Sequence, residues 1–198
     1  KIEMEILRNN EVIGYNNYFF ERDGETTTVK NQYKFEVKLL SATIFKVEGY
    51  GEEIYLNDRL ISFQSKTLQN KKEKFVNLKL DKNNKKFDIK GSSYSGEASV
   101  KNIIGNWWSH KILQAESQIS PISGSIKEQL VTFIGKENVA INGKEFETDH
   151  FKLTSKDMSL PEDKRLNFDI WLDKKTSVIV KVTYERMGNW EYRLKNIE

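Results

Sequence analysis

The 198-residue chain contains no cysteine. That absence excludes disulfides, thiolate metal sites and a cysteine nucleophile. Only two prolines occur, Pro121 and Pro161, and neither lies within a run that alternates like a strand. No apolar run approaches the ~18 residues that a membrane helix requires. The two histidines, His110 and His150, make a poor zinc site without a third ligand. No G-x-S-x-G, H-E-x-x-H, phosphate-loop or G-x-G-x-x-G motif is present. No catalytic residue, metal or cofactor is therefore assigned.

Charge is nearly balanced. Thirty-two basic residues face 29 acidic ones, for a formal net charge of +3. The excess is local: Lys66 to Lys90 holds nine lysines against Glu73, Asp81 and Asp88. Nucleic-acid binding calls for a broad basic face with exposed aromatics, so no nucleic-acid partner is expected. The lysines flank the runs KFVNLKL and KKFDIK, where they read as a solvated edge that discourages edge-to-edge pairing.

The chain is rich in aromatic residues, at 12%, and its apolar residues recur with period two. In the C-terminal stretch Leu166 to Leu194, Phe168, Ile170 and Leu172 share one face. Val178, Val180, Val182 and Tyr184 share another, as do Trp190, Tyr192 and Leu194. Such alternation marks strands with one buried and one wet face, and short turns between them mark antiparallel neighbours. The same pattern runs from Ile2 to Val100. Asn9-Asn10, Asp23-Gly24, Asn57-Asp58 and Asn142-Gly143 supply turn signals. Gly49 and Gly51 suggest a bulge or bend in one long strand.

Ile103 to Ser117 departs from period two. Ile104, Trp108, Ile112 and Ala115 have helical spacing, which predicts one short amphipathic helix. Trp108 should then be buried against strand aromatics such as Phe35, Phe45 and Phe168, with His110 on the opposite side. Two readings of Trp107-Trp108 stay open. The rings plug the sheet, or they line a cavity for an apolar ligand. The expected fold class is mainly β: a large antiparallel meander curled into an open or partly closed barrel with that helix packed in it. Residues 1–198 form a single domain in this reading.

The helix segment NWWSHKIL, the hairpin GKENVAINGKEFETDHFKL and the ending LNFDIWLD…SVIVKVTYE…WEYRL together resemble the exported bacterial families DUF6134 and DUF3108. The Ile170-Trp171-Leu172-Asp173 run matches a strand of that ending. Ile13-Gly14 matches an N-terminal one. Trp107-Trp108-Ser109-His110 stands where Trp-Asn is more usual. The resemblance implies a periplasmic or exported protein, and its shape is similar to lipid-handling half-barrels of the LolA/LolB type. The resulting expectation is a non-enzymatic, monomeric protein that binds or carries a hydrophobic, lipid-like molecule. Trp107, Trp108, His110 and Trp171 are its candidate ligand-binding residues. The alternatives are an assembly factor that binds another envelope protein through a sheet edge, and a hydrolase that uses His110 or His150 with a carboxylate.

Overall fold

The computed structural model describes residues 1–83 and 85–198. Eight strands run in sequence order through the first half: β1 (Ile2–Arg8), β2 (Glu11–Asp23), β3 (Thr26–Leu39), β4 (Ala42–Leu56), β5 (Arg59–Gln69), β6 (Lys72–Asp81), β7 (Lys86–Gly91) and β8 (Ser95–Ser99). A strap follows, made of β9 (Ile103–Ile104), a 3₁₀ turn at His110–Leu113 and β10 (Ser117–Ile119). The second half comprises β11 (Ile126–Ile141), β12 (Lys144–Ser155), β13 (Asn167–Asp173), β14 (Ile179–Glu185) and β15 (Asn189–Ile197), with a second 3₁₀ turn at Glu162–Lys164.

All of these strands belong to one 15-stranded sheet, in the order β8-β7-β6-β5-β4-β3-β2-β1-β15-β14-β13-β12-β11-β10-β9. Sequence neighbours pair because their connections are short. Several turns have both central residues at positive φ, as at Asn9 (49°) and Asn10 (69°), or Asn57 (49°) and Asp58 (60°). Asparagine and aspartate tolerate that region, which suits the twist of a two-residue hairpin. Residue 84, between β6 and β7, lies outside the described residues.

Three expectations are corrected. The sheet is not closed or curled into a barrel: β8 and β9 stand at its two ends and do not pair with each other. The sheet is mixed rather than wholly antiparallel, because β9 pairs with β10 in parallel. No helix forms over Ile103–Ser117. Ile103 and Ile104 pair instead with Gln118 and Ile119, and an ideal Cβ on Gly105 would meet Gln118 Oε1 at 2.0 Å. The Asn106 amide is drawn to Glu53 at 2.6 Å. Helical spacing over this stretch is therefore overridden by tertiary hydrogen bonds. Only His110–Leu113 winds, as one 3₁₀ turn whose N-cap is Ser109.

Gly49 also has a different role from the one its position suggested. The β3–β4 register runs without a break through Gly49 and Gly51, and its shift lies at Val37/Lys38. An ideal Cβ on Gly49 would come within 2.6 Å of the Tyr33 ring, so glycine makes room for that side chain. Strand β11 is a single strand over all of Ile126–Ile141 and carries an irregularity between Phe133 and Gly135.

The strap joins two cores. Trp107 and Ile112 pack in one with Met4, Leu153, Ile170 and Val182. Ile104 and Ile119 pack in the other with Phe63, Val76, Leu78 and Ile89. Ile112 and Ile119 are both fully buried. Each such side chain contributes roughly 1.5–3 kcal/mol relative to exposure.

Candidate functional site

Period-two alternation brings Ile6 and Arg8 of β1, Tyr33, Phe35 and Val37 of β3, and Phe45 and Val47 of β4 to one cleft. Tyr184 of β14 and Trp190 and Tyr192 of β15 reach the same cleft. The central pairing of β1 with β15 sets Ile6 opposite Tyr192. Strand β3 sets Phe35 opposite Val47 and Val37 opposite Phe45. The strap closes one side with Trp107 and with Gly105, Asn106 and Gln118, and Pro121 just after it adds to that wall. The resulting cavity has a volume of about 650 Å³.

Aromatic rings form a continuous chain through it. Phe45 lies 6.0 Å from Phe35, and Phe35 meets Trp190 edge-on at 5.4 Å. Trp190 stacks on Tyr184 at 5.7 Å, Tyr184 meets Phe168 at 5.3 Å, and Phe168 meets Trp107 at 5.0 Å. Edge-to-face and offset contacts of this kind each add roughly 0.5–1.5 kcal/mol beyond area burial.

The polar groups of the cleft floor are largely satisfied from within. The Tyr18 hydroxyl accepts from Asn16 Nδ2 at 2.9 Å and from the Trp107 backbone N–H at 3.2 Å. Asn31 Nδ2 donates to Asn16 Oδ1 at 2.7 Å. Tyr33 and Thr67 share a hydroxyl–hydroxyl bond of 2.5 Å. Burial pushes the Tyr18 hydroxyl well above the usual tyrosine value. Burial likewise pushes Tyr192 up to about 12, so these phenols stay neutral at ordinary pH.

The rim is cationic. Arg8, Lys127, Arg165 and Arg186 line the cleft, and among the described residues no carboxylate does. Each donates to a backbone carbonyl: Arg8 to Met187, Lys127 to Lys164 at 2.6 Å, Arg165 to Leu160 at 2.6 Å, and Arg186 to Asp163. Among the described residues, none of the four is ion-paired. Burial, followed by the Arg186 charge, holds the Lys127 ammonium below the usual lysine value.

The four residues singled out in the sequence separate. Trp107, 8% exposed, lines the cleft. Trp108, half-buried, does not; it meets Phe20 at 5.4 Å and Tyr55 at 5.9 Å, not Phe35, Phe45 or Phe168. Its indole N–H donates to Glu53 at 2.9 Å. His110 opens the 3₁₀ turn, half-buried and away from the cleft. Trp171 is also elsewhere: it stacks on His150 at 4.4 Å, lies under the Lys181 ammonium at 4.7 Å and donates to the Glu137 carboxylate. The aromatic ladder of Phe35, Tyr184 and Trp190 was missed, although each residue sits on the apolar side of an alternating run. The cationic rim was missed because its members come from four separate parts of the chain.

His150 has the carboxylates that a hydrolase reading needs, but in the wrong arrangement. Its Nε2 is 2.9 Å from Asp169 Oδ1 and its Nδ1 is 3.5 Å from Glu137. Burial acts to raise the Asp169 pKa, but the Lys152 bond at 2.6 Å and the His150 bond hold it below the usual carboxylate value. The Asp169 contact occupies Nε2, and the near neighbour of Nδ1 is the Glu137 carboxylate rather than the serine hydroxyl that a nucleophile pair requires. Among the described residues no cluster of metal-ligating side chains occurs either.

Comparison with known proteins places this geometry in context. The sequence pattern of a family described as domain of unknown function DUF6134 matches residues 4–195. The fold is similar to the crystal structure of a beta-barrel-like protein of domain of unknown function DUF1849 from Brucella abortus. The TM-score is 0.64 at 12% identity, covering 98% of this chain and 96% of that one. At that identity the likeness concerns fold alone. No curated protein matches the sequence.

Proposed function

The chain belongs to the DUF6134 family, whose description names no activity, and from that premise we propose that it is a non-enzymatic protein that binds a small hydrophobic molecule in the aromatic cleft. The observation that carries this reading is the open ladder from Phe45 to Trp107 in a cavity of about 650 Å³. Ligand sites commonly enclose roughly 300–1,000 Å³, lined by aromatic side chains with a few convergent polar groups. Fully packed cores lie on both sides of the strap, with Ile112, Ile119, Leu153 and Ile170 at 0% exposure. Packing therefore stops at the cleft, where water must otherwise cover ring surface at a cost of about 25 cal/mol per Å².

Titration with N-phenyl-1-naphthylamine, an uncharged dye that fluoresces when it leaves water, tests the reading. One saturable site per chain is expected. Phe45→Gln, which removes a half-buried ring from the cleft, should weaken it at least about tenfold, as expected for loss of 1.4 kcal/mol or more of apolar contact. Binding that never saturates, or that ignores Phe45→Gln, would overturn it.

A further inference from the structure

We propose that the molecule held in the cleft is an amphipathic anion, whose acid group sits on Lys127, Arg165 and Arg186 while its chain lies along Phe35, Phe45 and Trp190. This rests on the reading of the cleft as a binding site and adds the charge of its occupant.

Three unconnected parts of the chain bring the cations together. Lys127 lies near the start of β11, Arg165 follows the second 3₁₀ turn, and Arg186 lies between β14 and β15. Lys127 and Arg186 donate to the neighbouring carbonyls of Lys164 and Asp163, which holds both side chains against the segment that carries Arg165. Like charges held at close range disfavour one another. Elsewhere on this protein lysines face acids: Lys30 faces Glu21 at 2.9 Å, Lys86 faces Glu97 at 2.5 Å, and Lys152 faces Asp169 at 2.6 Å. Around the cleft no such close ion pair forms among the described residues, and Asp163, an acid whose charge reaches Lys127, does not line it.

The donors are not used up by their carbonyl bonds. An ammonium carries three N–H groups and a guanidinium five, so each cation retains donors for a bound oxyanion. Such charge-assisted bonds are about twice as strong as neutral ones, and guanidinium matches a carboxylate or phosphate in a paired geometry. Arg8, which lies over Trp190 at 6.0 Å, extends the positive rim past the aromatic ladder. A bound anion would add to the counter-charge that Asp163 already gives Lys127 against burial and the Arg186 charge.

Calorimetric titration of the full chain with three C12 probes below their micellar concentrations decides the matter. Dodecanoate should bind at least about tenfold more tightly than 1-dodecanol, and dodecyltrimethylammonium more weakly than either. The double variant Lys127→Gln/Arg165→Gln should erase the preference for dodecanoate over 1-dodecanol. Should that variant fail to fold, Arg186→Gln, at an exposed side chain, should reduce the preference several-fold. Equal affinity for dodecanoate and 1-dodecanol would overturn the anionic assignment while leaving the cleft as a neutral apolar site. If none of the three binds, the cleft reading and the assignment both fall.

Discussion

Glu53 is 2% exposed, yet it sits on β4 between valine and phenylalanine partners, Val29 and Phe63. A buried carboxylate survives only when its oxygens are occupied. Oε1 accepts from Asn106 at 2.6 Å and Trp108 at 2.9 Å, and Oε2 accepts from the Tyr55 hydroxyl. Through these bonds Glu53 ties the strap to the sheet. Glu53→Ala strands three donors, the buried Asn106 amide and the half-buried Tyr55 hydroxyl and Trp108 indole, and should cost about 3 kcal/mol in urea denaturation. Glu53→Gln keeps one acceptor oxygen and the shape, so a loss of about 1 kcal/mol is expected. The two variants also differ in pH response. Burial raises the Glu53 pKa above the ordinary 4.5, against the lowering effect of its three donors. The folded state then binds a proton more tightly than the unfolded chain does. This contribution to stability is complete below pH 4.5 and declines as pH rises through the raised folded value. Denaturation midpoints between pH 4 and pH 8 should show that decline in the wild type, and Glu53→Gln should remove this component of it.

At the scale of an element, the β3–β4 hairpin carries a local conflict. Its turn places Leu40 at φ 49° and Ser41 at φ 70°, a region that costs an L residue without a short polar side chain roughly 1–2 kcal/mol. Leu40 recovers nothing by packing, since it is 95% exposed. Leu40→Gly should therefore raise thermal stability by about 1 kcal/mol, the relief of strain partly offset by the entropy of glycine in the unfolded chain. An unchanged or lowered midpoint would show that Leu40 makes a compensating contact. The tip lies next to Ile44 and Phe45 of the cleft, so the same variant, assayed with the naphthylamine dye, also reports whether the turn contributes to ligand entry.

For the whole molecule, the order of the sheet predicts a gradient of stability. Strands β1 and β15 lie at its centre and bury Ile2, Met4, Ile6 and Leu194. Strands β8 and β9 each have one unpaired side, and β8 buries only Ala98. Local opening costs least where contacts are few. Native-state hydrogen exchange should find the slowest amides in β1, β2 and β15 and faster exchange through β8. Uniform protection across the sheet would mean that the strap anchors the ends as firmly as the centre.

Strand identity and neighbour pairing were legible in the sequence because they rest on local physics. Alternation decides which side chains share a face, and asparagine, aspartate and glycine at the turns admit positive φ. The three strands read between Leu166 and Leu194 are β13, β14 and β15, paired in that order. Family membership was legible for the same reason, since its motifs are the strand residues themselves. The strap was not legible. Helical spacing of Ile104, Trp108 and Ile112 also satisfies two cores at once, and only Glu53, 53 positions before Asn106, determines which way Asn106 points. Nor could local pattern reveal whether the sheet closes, because closure depends on whether its two end strands meet. The cleft belongs wholly to the tertiary level: Phe35, Trp190 and Arg165 come from distant parts of the chain, and it took the central pairing of β1 with β15 to assemble the aromatic ladder beneath its cationic rim.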